Sequence, residues 1–185
     1  LFNQLNLSKK IKLQNIDIED FWNIINYNYS QIQFAEVKAT AVISIYSIIF
    51  GLGYTLDIID EENVYSFSFD FGDAIHIILL GISSFFVIAS LRRCIICILP
   101  RFNFTVKKSP LFFGDVNKYK DFDTFFESLE EVLNDEKKYR KHLTQSVYAT
   151  ANIASIKFFN VNKGLSHLLK SIIFLTLFFI SIYTF

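Results

Sequence analysis

The sequence predicts an all-α integral membrane protein, with three transmembrane helices and a cytoplasmic helical hairpin whose second arm continues into the third span. Three observations carry that fold class. The chain is 52% hydrophobic, with mean hydropathy +0.34 and 22 Phe in 185 residues, more apolar surface than a soluble domain of this size covers comfortably. That apolar content gathers into three runs, 39–56, 74–91 and 168–185, each close to the ~20 residues a helix needs to cross the hydrocarbon core. The charges sum to zero but are sorted by loop rather than mixed.

Residues 1–38 read as a cytoplasmic amphipathic N-terminal helix. Its opening, LFNQLNLSKKIKLQ, lacks the long apolar core of a signal peptide. The chain contains no Met, so Leu1 is not read as an initiator. Asp17 is a candidate N-cap ahead of Phe21, Ile24, Ile25, Asn28, Ile32 and Ala35, which recur at helical spacing. Trp22, Tyr27 and Tyr29 suit a membrane surface, where amphipathic rings collect. Glu36 and Lys38 are two apart and so do not share a helix face; Lys38 reads as the cytoplasmic anchor of the first span.

The first transmembrane helix is assigned to 39–56 and the second to 74–99. None of the three runs shows the helical alternation of apolar and charged residues expected of soluble core helices. Between the first two, 57–73 forms an acidic external loop with six acids and no Lys or Arg. After the second, 92–108 carries five bases and no acid: Arg92, Arg93, Arg101, Lys107 and Lys108. The positive-inside rule then places the N-terminus and residues 92–163 in the cytoplasm and the C-terminus outside. The third span, 165–185, has one lysine near its start, Lys170, which can snorkel to the interface.

Residues 100–164 read as a cytoplasmic linker and hairpin. Pro110 disfavours helix at Ser109 and ends any extension of the second span. Gly114 and Asp115 then form a turn. Leu111, Phe112 and Phe113 would face water unless they dock on the hairpin or on lipid. Phe125, Phe126, Leu129, Val132 and Leu133 make one apolar face, with Asp123 as a candidate N-cap. Asp135 is placed to cap the next helix. There Tyr139, Leu143, Val147, Ala151, Ala154 and Phe158 recur every three or four residues into the third span, with Gly164 as the one candidate break.

Little points to catalysis. Cys94 and Cys97 have no further metal ligands nearby; they and His76 read as structural. His142 and His167 stand apart from other catalytic residue types, and no nucleophile–base pair converges in a loop. No glycine-rich phosphate loop is present. No enzyme activity, metal or cofactor is expected. A membrane-anchored scaffold, docking a partner on the face of Phe125, Leu129 and Leu133, is the alternative to a signal-gated effector.

The stretch SPLFFGDV, 109–116, resembles the N-P-L-F-F-G-D-I signature of the small transmembrane effectors of Pycsar antiphage systems, the PycTM family. Glu36, Lys38 and Ala39 resemble an F-A-D-x-K-A element at the mouth of the first span. Gln145, Val147, Tyr148, Ala151, Ile153, Ala154, Lys157 and Phe158 resemble a Q-x-I-Y-x-L-S-x-I-x-x-x-K-Y element before the third. The likeness runs from about Tyr29 to the end, with Ser109, Glu36 and Phe158 as departures. Its motif residues are Glu36, Lys38, Pro110, Leu111, Phe112, Phe113, Gly114 and Asp115. The resemblance implies an effector of the bacterial inner membrane. A partner cyclase makes cyclic UMP or cyclic CMP on infection, and the effector then impairs membrane integrity. The implied partners are membrane lipid, the cyclic nucleotide and further copies of the chain, with no nucleic acid. A site for such a ligand needs cations and a stacking surface. The candidates are Arg92, Arg93, Arg101, Lys107, Lys108 and Lys157, with Tyr148, Phe112 and Phe113 for the base.

Overall fold

A computed structural model describes residues 17–59, 71–100 and 107–184. The arm ahead of residue 17, most of the acidic loop and Arg101 lie outside them. The described residues form four α-helices and one 3-10 turn, without a strand. Helix α1 is Ile18–Ile59, α2 is Phe71–Ile98, the 3-10 turn is Phe113–Lys118, α3 is Phe122–Leu133 and α4 is Glu136–Thr184. Segments of α1, α2 and α4 are long and apolar enough to cross a membrane. The protein is an all-α membrane protein with three candidate spans.

Helix boundaries follow local chemistry. Glu19 and Asp20 sit in the first turn of α1, favourable against its dipole. The N-cap of α3 is Asp121, not the expected Asp123: its Oδ1 accepts from the Thr124 N–H at 2.9 Å and the Thr124 hydroxyl at 2.5 Å. An N-cap oxygen reaches the N–H of the third helical residue, and Thr124 stands there relative to Asp121. Asp135 Oδ1 accepts from the N–H groups of Lys137 and Lys138 at the start of α4, as expected. Helix α4 then runs 49 residues without a break at Gly164.

The described residues divide into two compact units. One comprises the described parts of Leu1–Ile32 and Pro100–Ala154, the other those of Gln33–Leu99 and Ser155–Phe185. In the first, Phe112, Ala149 and Ile153 form a small core with Ile32 beside it. Asn28, within the apolar stripe of α1, is buried and donates from Nδ2 to Thr150 Oγ1 at 3.0 Å. Trp22 Nε1 donates to Tyr139 Oη at 3.2 Å.

The second unit packs three helical stripes. Ala35, Ala39, Val42 and Tyr46 come from α1, Cys94 and Cys97 from α2, and Val161 and Leu168 from α4. Small residues on such stripes let backbones approach closely. Ser90 Oγ donates to the Gly164 carbonyl at 2.7 Å, and Ser83 Oγ to the Ser171 carbonyl at 3.1 Å. Gly164 is therefore a contact residue rather than a hinge: a Cβ there would lie 2.7 Å from Cys94 Sγ and 3.5 Å from the Ser90 carbonyl oxygen. Gly164→Ala is expected to destabilise the protein by about 1–3 kcal/mol through overpacking. Adding Cys94→Ala should restore part of the loss, both read from thermal melts in mild detergent. A Gly164→Ala variant melting with the parent protein would refute the close approach.

Candidate functional site

Residues 109–118 fold as a self-supporting turn in the first unit. Asp115 is fully buried. Its Oδ2 accepts from the Ser109 N–H at 2.9 Å, and its Oδ1 accepts from Lys118 Nζ at 2.5 Å. The carboxylate thus ties the residue before Pro110 to the far end of the 3-10 turn. Within this loop Phe112 is 1% exposed, while Phe113 is 58% exposed. One ring is seated against Ala149 and Ile153 and the other faces outward. Gly114 is required by the seated ring, since a Cβ would come within 2.6 Å of Phe112 Cε1. Pro110 is buried and Leu111 partly so.

The α4 side of this loop is polar. His142 Nδ1 and Ser109 Oγ share a hydrogen bond of 2.9 Å, and Gln145 Nε2 donates to the Lys107 carbonyl. His142 lies outside the apolar run of α4, and its imidazole is held below the ordinary value of 6.5, first by burial and then by the Lys141 charge. The unfolded chain therefore binds the proton more readily. The stability contributed by neutral His142 is complete above the unfolded value and is lost as pH falls through the lower folded one. Melting temperature is expected to drop as pH falls below the ordinary value of 6.5, and His142→Gln should flatten that part of the profile. An unchanged slope would remove His142 from the account.

In the second unit the elements around Glu36 and Lys157 meet. Lys157 is buried, and its Nζ donates to Glu36 Oε1 at 2.7 Å. It also donates to the Cys97 carbonyl, to Leu99 O at 3.3 Å and to Ile98 O at 3.5 Å. These carbonyls end α2, where a helix has acceptors without intrahelical partners and a negative dipole end. One ammonium group thus closes α2 and joins it to α1 and α4. Lys38 Nζ lies 4.3 Å from the Phe34 ring centroid and 5.6 Å from that of Phe158. Glu36 and Lys38 diverge as their spacing requires, one to the ammonium and the other to the rings.

The remaining candidates divide between the units. In the first, Lys108 Nζ lies 3.3 Å from the Tyr119 ring centroid, and Tyr148 is 57% exposed. Lys107 is exposed. In the second, Arg92 is exposed and Arg93 Nη1 donates to Asn160 Oδ1 at 3.2 Å. Cys94 and Cys97 are buried thiols not joined in a disulfide, and no metal-binding group of His, Cys, Asp and Glu occurs among the described residues. Sequence reasoning missed three polar anchors: Asn28, Ser109 with His142, and the carbonyls under Lys157. Asn28 was visible as a polar residue on an apolar face; the others depend on residues far apart in the chain.

A family model described as PycTM, Pycsar effector protein domain, matches residues 20–184. The match begins ahead of Tyr29 and takes in α1 from Asp20 onward. No curated protein and no solved structure matches.

Proposed function

The chain belongs to the PycTM family of Pycsar antiphage transmembrane effectors, and from that premise we propose that it is switched on by cyclic UMP or cyclic CMP to impair the bacterial inner membrane. The observation that carries this reading is the family match across 20–184, covering all three candidate spans. In this reading it is a membrane effector rather than an enzyme, working beside a nucleotide cyclase and without a cofactor.

The proposed topology keeps the N-terminus and the hairpin cytoplasmic and the C-terminus external, on the strength of the Lys/Arg asymmetry. Three spans per chain are too few to enclose a wide pore, so the active form is a homo-oligomer. Gly51, Gly53 and Gly81 support this, because a Cβ at each would meet nothing within 4 Å, leaving room for a second copy. The second unit also has an open apolar groove of ≈ 610 Å³, lined among others by Tyr46, Gly53, Ser84 and Leu175. Ligand must bind the open arrangement more tightly than the closed one. For the phosphodiester we retain Lys107 and Lys108 of the first unit, with Tyr148 and Phe113 of the same unit as exposed rings for the base. Lys157 contributes by holding the helices.

Dye-loaded liposomes carrying the purified chain test the reading. Cyclic UMP or cyclic CMP is expected to release dye while cyclic AMP does not. Absence of both binding and release with either pyrimidine would overturn it. A scaffold role has one observation of its own: Phe122, Phe126 and Leu133 leave an apolar surface on α3, at 73%, 51% and 54% exposure. A stoichiometric protein partner without membrane damage would favour that role.

A further inference from the structure

Between α2 and α4 of the second unit, cations gather on aromatic faces. Arg93 Cζ and Lys163 Nζ each lie 5.9 Å from the Phe159 ring centroid. Lys170 Nζ lies 5.5 Å from the Phe86 centroid, and His167 stacks on that same ring at 5.9 Å. The sequence places them in register. Lys163, His167 and Lys170 are spaced i, i+4, i+7 on α4, and Phe86 and Arg93 are seven apart on α2, so each set shares one helix face. Lys163 and Lys170 are exposed. No Asp or Glu occurs in 74–114 or in 137–185, and none of these cations has a carboxylate partner among the described residues. Cations in and beside membrane-spanning segments are costly unless they are paired or reach the interface. The described residues supply no counter-charge for them.

We propose that Arg93, Lys163 and Lys170, backed by Phe86 and Phe159, form a binding site for the phosphodiester headgroup of an anionic membrane lipid. Charge complementarity selects an anionic phosphate: Arg93 and Lys163, on the same Phe159 ring, can share its oxygens, and Lys170 on the Phe86 ring adds attraction from further along the helix. Depth selects a lipid over a soluble anion. Lys170 lies seven residues beyond Lys163, about 10 Å further along the helix, inside the apolar run, with Leu169 and Ile173 exposed beside it for the acyl chains. Basic pockets between spans are suited to such headgroups. The inference is independent of nucleotide activation.

The test is native mass spectrometry of the full-length protein released from mixed micelles holding equal phosphatidylglycerol and phosphatidylcholine with the same tails. Retention of phosphatidylglycerol over phosphatidylcholine is expected. Arg93→Gln, Lys163→Gln and Lys170→Gln should each lower that preference about tenfold or more, the loss expected for one hydrogen bond to a charged group. Arg92→Gln is the decisive control, being exposed, next in sequence to Arg93 and about 100° away around α2. It should change the preference by no more than about fivefold, the weight of one basic residue near a membrane surface. Equal retention of the two lipids, or an equal loss in Arg92→Gln, would reduce the cluster to general surface attraction and overturn the site. Displacement of phosphatidylglycerol by cyclic UMP, but not by inorganic phosphate, would assign the site to a soluble phosphodiester and overturn the lipid assignment. A circular dichroism spectrum matching the parent protein accompanies each variant, so that a folding defect is not read as lost binding.

Discussion

Lys157→Met is expected to cost about 3 kcal/mol of stability, within the range seen when one partner of a buried ion pair is removed. The three N–H groups of the ammonium are shared among four oxygens within reach: one carboxylate on α1 and three carbonyls at the end of α2. Removing it leaves the carbonyls of a helix end without their capping charge in a site where the lysine side chain is 3% exposed. Glu36 is different. Its side chain is 38% exposed, so water recovers part of what Glu36→Gln loses, and that variant should cost about 1 kcal/mol. The two costs separate the helix-closing role of Lys157 from its ion pair. A double-mutant cycle of Lys157→Met and Glu36→Gln, followed by melting in detergent, measures the pair directly. If Glu36→Gln costs as much as Lys157→Met, the carbonyl contacts contribute little and the clasp is an ion pair alone.

The second large effect is expected at Asp115. Asp115→Ala strips the loop of the acceptor for the Ser109 N–H and of the partner of Lys118. A buried donor left without an acceptor costs about 1–3 kcal/mol, more when a charge is involved. The visible consequence should be local: the loop opens, Phe112 leaves its seat against Ala149 and Ile153, and a protease cuts between residues 107 and 120. Asp115→Asn keeps the shape and one acceptor but loses the charge, and should lie between the alanine variant and the parent protein. Equal protease resistance in all three would show that Phe112 burial, not the carboxylate, holds the loop.

Local pattern accounts for what was readable beforehand. Uncharged runs and helical period are properties of neighbouring residues, so three spans and the cap at Asp135 could be read from sequence, whereas of the expected apolar face of α3 only Val132 is buried and Phe126 and Leu133 are exposed. Long-range pairing could not. Glu36 and Lys157 stand 121 positions apart, and nothing near either names the other. The two phenylalanines of the loop show a different limit. Phe112 and Phe113 are chemically identical neighbours, and only the turn held by Asp115 decides which is buried. Asp123 is the candidate N-cap read from sequence; Asp121 takes that place and the helix starts two residues earlier, a choice fixed by the contact of its carboxylate with Thr124. Gly164 was readable as a weak helix former, but its use is steric, set by a sulfur on another helix.

The two cysteines of the chain, Cys94 and Cys97, are both buried at the packing face of α2. The molecule therefore carries its own clock for helix separation. A thiol reagent reaches these sulfurs only when α2 parts from its neighbours, so the alkylation rate in the folded protein measures how often the helices open, just as amide exchange measures local unfolding. No probe has to be engineered into the chain. An activating ligand that pulls the spans apart would announce itself as faster labelling, and one that merely docks on the surface would leave the labelling rate alone.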